Sequence, residues 1–133
     1  MHTDKNYLHS EITDKILKAF YTVRNEIPIN LPLEFYDRAM EIEMVGDGMK
    51  VERNIYITVK YRQTKIGDFI AKVLVNEKVV LNYIYAEEIC EQCISGMKNL
   101  LKYSDFEVGL ILNFFPDQTH KRIVFTNELK KLW

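Results

Sequence analysis

Thiols, prolines and charge of one sign are scarce in this sequence. Among 133 residues there are two cysteines, three prolines, five glycines and a single tryptophan. Two thiols cannot brace a disulfide-dense scaffold. They also fall short of the four ligands of a structural zinc, unless His2, His9 or His120 join them. Lysine and arginine number 18 against 19 aspartates and glutamates, a formal net charge of −1. The basic excess of a generic nucleic-acid binder is therefore missing, although a local patch stays open. No apolar run follows Met1 and none reaches the roughly 20 residues of a membrane span, so a cytoplasmic setting is expected. Repeats, low-complexity tracts and linkers are absent as well. With 47% apolar and 28% charged residues, the composition is ordinary, and residues 1–133 are expected to form a single domain.

What is present reads as two helices, three strands, a helix and two strands. From Tyr7 to Ile27, the residues Leu8, Ile12, Ile16, Phe20 and Val23 recur at helical spacing, while Glu11, Asp14, Lys15 and Arg24 fall elsewhere. Pro28 and Pro32 bracket a break, because each disfavours helix in the residue before it. A second helix begins near Pro32, carries Leu33, Tyr36, Met40 and Met44 on one stripe, and stops at Gly46-Asp47-Gly48. Val51, Arg53, Ile55, Ile57, Val59 and Tyr61 then alternate with Glu52, Asn54, Tyr56, Thr58 and Lys60, which predicts a half-buried strand with one outlier. Arg62-Gln63-Thr64-Lys65 turns the chain into a second strand, and Asn76-Glu77 into a third. Those two, over 66–75 and 78–85, are apolar on both faces and suit the middle of a sheet covered on both sides. Helical spacing returns over 89–103. An apolar strand over 106–114 follows, then a break at Pro116-Asp117-Gln118 and a short strand over 122–126. The order predicts an α+β fold, or an α/β sandwich-like one.

Cys90-Glu-Gln-Cys93 holds the whole thiol inventory. A redox role needs a strand ending just before the pair and a thiolate activated at a helix N-terminus. Glu87, Glu88 and Glu91 crowd the pair and are expected to raise a thiol pKa. The sequence reading is two ordinary cysteines in the first turns of a helix.

Four stretches carry a family likeness: Asn30-Leu-Pro-Leu-Glu-Phe-Tyr36 with Ala39 after it, Lys50-Val-Glu-Arg53, Ala71-Lys-Val-Leu-Val75, and Gly109-Leu-Ile-Leu-Asn-Phe114. In order and spacing they resemble the GxxExxY family of the PD-(D/E)XK nuclease superfamily over nearly the whole chain. That resemblance implies a restriction-endonuclease-like core, a central mixed sheet of about five strands flanked by helices, and a nuclease using Mg2+ or Mn2+. It also places the family's functional positions. The name-giving glycine falls at Asn30, the tyrosine at Tyr36 and the glutamate at Leu33, with Glu34 one residue away. A one-residue offset rotates a helical side chain by about 100°. The strand aspartate falls on Lys72, and the glutamate and lysine of the next strand fall on Asn82 and Ile84. The glutamine and tyrosine of the following helix fall on Gly96 and Leu100.

These positions no longer suit the chemistry. A divalent cation needs hard anionic oxygens, and the reaction needs a lysine beside them. Here Lys72 is cationic, Asn82 has one neutral oxygen and Ile84 has nothing. The expected protein is a catalytically inactive nuclease fold, serving as a binding or assembly module with a protein partner or its own copy. Lys72 is read as filling the charge vacancy, by pairing with Glu34 or Glu87. One alternative is a Mg2+- or Mn2+-dependent nuclease with a site migrated to Glu34, Asp68 and Glu87. Another is a non-cleaving nucleic-acid binder using Lys50, Arg53, Lys60, Arg62, Lys65 and Lys72.

Overall fold

Apolar residues three and four apart give the first helix one greasy face, and that face is what it buries. In the computed structural model, which describes residues 8–116 and 119–130, helix α1 spans Ser10–Glu26 and buries Ile16, Ala19, Phe20 and Val23. Helix α2, Leu33–Gly46, buries Tyr36, Met40 and Met44 at four-residue spacing. Strands β1 (Val51–Tyr61), β2 (Thr64–Val75) and β3 (Val79–Ile84) follow, then helix α3 (Glu91–Lys102), β4 (Val108–Asn113), β5 (His120–Val124) and a short helix α4 (Asn127–Lys130). The strands form one sheet in the order β1-β2-β3-β4-β5. Only β3 and β4 pair in parallel, and α3 supplies the crossover that a parallel pair requires.

Two apolar layers cover the sheet. Helices α1 and α2 pack on one face, against Val73, Val75, Val79, Leu81, Tyr83, Leu110 and Leu112. Helix α3 packs on the other through Met97, Leu100 and Leu101, against Leu74, Val80, Ile111 and Ile123. Covered from both sides, all six residues of β4 are buried. The approach of α3 is close enough that a Cβ on Gly109 would sit 2.4 Å from Met97 Sδ, so a side chain there would require Met97 to move. On the other face Phe114 stacks on Tyr36 at 4.6 Å and meets Phe20 and Tyr83 edge-on at 5.1 and 5.7 Å. Each such pair contributes about 0.5–1.5 kcal/mol beyond area burial. This cluster pins the start of α2 to the sheet.

The element order and the mixed sheet agree with the sequence reading, and several details differ. The first helix starts at Ser10, after His9 in left-handed backbone (φ 55), while Tyr7 lies outside the described residues. The third helix is shorter than 89–103 because Cys90 and Tyr103 are its caps. The last strand begins at His120 and ends at Val124, not at 126. Helix α4, whose first backbone N–H donates to Glu107 Oε2 at 2.8 Å, has no sequence counterpart. The β1–β2 turn is only Arg62-Gln63, both with positive φ (49 and 66). That is a tight hairpin turn without its usual glycine or asparagine, so strand pairing extends back to Thr64.

The larger correction concerns β1 and β2. Strands β2 and β3 do lie inside the sheet, but only the end of β2 is covered on both faces. Its first seven residues, 64–70, are exposed or half-buried, because there it pairs with β1 alone, as a two-stranded arm. Nor does β1 keep one face. Arg53 reaches α2, whereas Ile55 and Ile57 pack against the α3 side. On β2, Val73 and Val75 face α1 and α2, whereas Phe69 and Ala71 face α3. Asn54, with φ 58, sits at the change-over opposite Lys72, and these two residues alone are missing from the otherwise continuous pairing between Val51 and Val59. A left-handed residue breaks strict alternation, which flips every later side chain to the opposite face.

Candidate functional site at the sheet fork

Strands β2 and β3 pair over only three positions: Val73 with Leu81, Leu74 with Val80, and Val75 with Val79. Beyond them β2 follows β1 and β3 follows β4, so the sheet forks. Lys72 and Asn82 are the first residues past the fork, one on each strand. Two clefts open there, and both are lined by Lys72 and Asn82. The one toward α2, about 200 Å³, is completed by Leu33, Glu34, Asp37, Val73, Leu81 and Tyr83. The one toward α3, about 260 Å³, is completed by residues that include Phe69, Gln92, Cys93, Gly96, Met97 and Leu100.

The acids of the α2-side cleft are unequal. Asp37 is held by Arg53, whose Nη1 and Nη2 donate to its two oxygens at 2.9 and 2.7 Å. The same guanidinium donates to Glu41 Oε1 from Nε and Nη2 at 3.2 and 2.7 Å. These bonds, led by the Asp37 pair, raise Arg53 further above its already high pKa. Arg53 is the one charged side chain in the apolar set of β1, and that mismatch signalled a charged partner. Among the described residues, Glu34, exposed in the first turn of α2, has no hydrogen-bond or ion-pair partner, and neither do the side chains of Lys72 and Asn82. Beside them the Tyr83 hydroxyl is buried without a hydrogen-bond partner among the described residues. Burial first, then the nearby Asp37, pushes its pKa far above the ordinary value.

The candidates divide clearly. Leu33, Glu34, Lys72 and Asn82 meet in the α2-side cleft, and Gly96 and Leu100 meet Lys72 and Asn82 in the other. Ile84 lines neither; it packs against the α3 core. Asp68 sits out on the arm, accepting from Thr58 Oγ1 at 2.9 Å and paired with Lys65 at 2.8 Å. Lys65, followed by the Thr58 bond, holds that carboxyl below the ordinary range. Glu87 is exposed in the segment after β3. The structure thus does not bring Glu34, Asp68 and Glu87 together, and among the described residues no group of three His, Cys, Asp or Glu converges to hold a metal. Of the basic set, Arg53 and Lys65 are paired as above, Lys50 bonds Glu77 at 3.0 Å, and Arg62 lies over the Tyr61 ring.

The cysteines stand at the start of a helix as expected, but Cys90 departs from the expected rise in pKa. Cys90 is the N-cap of α3 and Cys93 lies one turn on, their sulfurs sharing a hydrogen bond at 3.4 Å. The backbone N–H of Cys93, then its thiol, lower the Cys90 pKa, while burial and the neighbouring sulfur raise that of Cys93. The nearby helix-start N–H groups and the Cys93 thiol outweigh Glu87, Glu88 and Glu91, whose charges are spread in solvent.

A five-stranded mixed sheet flanked by helices, forked between its second and third strands, has the architecture of a nuclease core. A family model of the PD-(D/E)XK nuclease superfamily matches residues 10–124, and the chain belongs to that superfamily. Neither a curated protein nor a solved structure gives a significant match. No helix among the described residues is long and apolar enough to cross a membrane.

Proposed function

We propose that this chain is a GxxExxY-type member of the superfamily, one nuclease-like domain over 1–133, which has lost its metal chemistry and serves as a binding or assembly module. The alignment behind this reading has physical support. Asn30, at the family's glycine, has φ 65, a conformation glycine favours and asparagine tolerates. Tyr36, at the family's tyrosine, is fully buried and donates its hydroxyl to Pro28 O at 2.6 Å. Both residues keep structural roles, whereas the departures at Leu33, Lys72, Asn82, Gly96 and Leu100 fall at the clefts.

The observation that carries the reading is the donor set at the fork. Lys72 brings an ammonium, Asn82 a neutral amide, and both Asp37 oxygens are taken by Arg53. Glu34 is the one uncommitted carboxylate in that cleft. This set does not fit Mg2+ or Mn2+, which need several anionic oxygens. The migrated site fares no better, with Asp68 and Glu87 elsewhere. A binding role draws support from exposed apolar residues on α2 (Phe35, Ile42 and Val45 at 52, 67 and 53% exposure) and from Tyr56, Tyr61 and Ile66 on the arm.

The test is cleavage of plasmid and single-stranded DNA with Mg2+ or Mn2+, beside thermal shifts in the same ions. We expect no cleavage, no metal-dependent shift, and no steeply salt-dependent DNA binding. Lys72→Asp with Asn82→Glu should create a Mn2+-dependent rise in Tm, and Ile84→Lys added to them tests for cleavage. Cleavage by the unmodified protein, abolished by Glu34→Gln, would overturn the reading.

A further inference from the structure

We infer that Cys90 and Cys93 are a redox-active dithiol, oxidised to a disulfide by exchange with low-molecular-weight disulfides of the glutathione class. The assignment rests on geometry and stands apart from the fate of the nuclease site. Cys90 caps a twelve-residue helix and Cys93 lies one turn into it, with the two sulfurs already 3.4 Å apart. Positions one helical turn apart bring their Cβ atoms about 5–6 Å from each other, so closing to the 3.5–4.5 Å span of a disulfide takes only a local adjustment at the first turn. Exposure divides the roles. Cys90 is exposed and open to attack an incoming disulfide, while Cys93 is half-buried in the wall of the α3-side cleft and suited to resolve. No third cysteine exists in the sequence, so an intramolecular bridge has one possible pairing.

The exchange balances without further reagents. The Cys90 thiolate attacks one sulfur of the small disulfide; its S–S bond breaks and the departing thiolate takes up a proton. Cys93 then releases its proton to solvent and attacks Cys90 Sγ, expelling the second small thiolate. Two protein thiols are oxidised and one disulfide is reduced to two thiols. The loop closed by the bridge lies within one helical turn, so it ties no separate elements together. Oxidation should leave the fold and its unfolding midpoint nearly unchanged. The wall of the α3-side cleft at Cys93 is what changes.

The experiment uses the reduced, desalted full chain with oxidised glutathione, followed by intact mass and free-thiol content. The unmodified protein should lose both thiols and two hydrogens, retaining no adduct. Cys93→Ser should accumulate one glutathione on Cys90, and Cys90→Ser should react about tenfold more slowly. Limited alkylation of the unmodified protein by iodoacetamide, mapped by fragmentation, gives the same ranking without any variant: Cys90 before Cys93. Stable adducts without a bridge, or equal reactivity of the two sulfurs, would refute the assignment.

Discussion

Replacing Arg53 by methionine keeps the methylene packing of the side chain and removes the cation between Asp37 and Glu41. These two carboxylates lie four residues apart on α2 and are bound through four charge-assisted contacts of 2.7–3.2 Å. A fully exposed pair is worth at most about 1 kcal/mol, whereas breaking a fully buried one costs about 3–5 kcal/mol. The side chains here are 33, 28 and 31% exposed, so the loss falls between those limits, at about 2 kcal/mol. Repulsion of the freed i,i+4 carboxylates adds a few tenths of a kcal/mol. With a urea slope of about 1.5 kcal/mol/M, the unfolding midpoint should drop by roughly 1.5 M with the slope unchanged. Repeating the substitution in an Asp37→Asn, Glu41→Gln background isolates the ionic part, and the drop there should shrink by more than half. A midpoint shift below about 0.3 M, or an equal drop in both backgrounds, would show that the cluster does not anchor β1 to α2.

Two further substitutions test local features. Asn54→Ala places a Cβ-bearing residue without a hydrogen-bonding side chain at φ 58 and should cost about 1 kcal/mol, while Asn54→Gly should be close to neutral, both read from urea midpoints. His9 has its pKa lowered from 6.5, first by burial, then by Lys78 and Arg122, against Glu107. The unfolded state therefore binds the proton first, and this contribution to stability is lost as pH falls below about 6.5. Comparing urea midpoints near pH 7.5 and pH 5, the drop should be smaller in His9→Asn, which tolerates the left-handed backbone; an identical drop would exclude His9 as a source.

Sequence patterns were enough for the order of elements from α1 to β5, and the family resemblance for Lys72 and Asn82 at the fork. Helical spacing in α1 and α2 reports which face is buried, and Asn76-Glu77 takes the tight turn expected between β2 and β3 (φ 52 and 58). Both are short-range consequences of backbone geometry, so a local window contains them. Lys72 and Asn82 were identifiable because their chemistry conflicts with the positions they occupy in the motif pattern. Three things needed the tertiary structure. Asn54 reads as one more polar position in an alternating strand, yet its left-handed backbone moves Ile55 and Ile57 to the other face. The sequence of β2 does not mark where β3 leaves it, because an apolar strand is equally compatible with a covered sheet and with a projecting arm. The Cys90 thiol has its pKa lowered by backbone N–H groups and the Cys93 thiol, which come near it only once α3 has formed, while its acidic neighbours in sequence are dispersed into solvent. In each case the deciding quantity is a direction in space, set by which elements pack on which face, and residue order constrains that direction only through the completed fold.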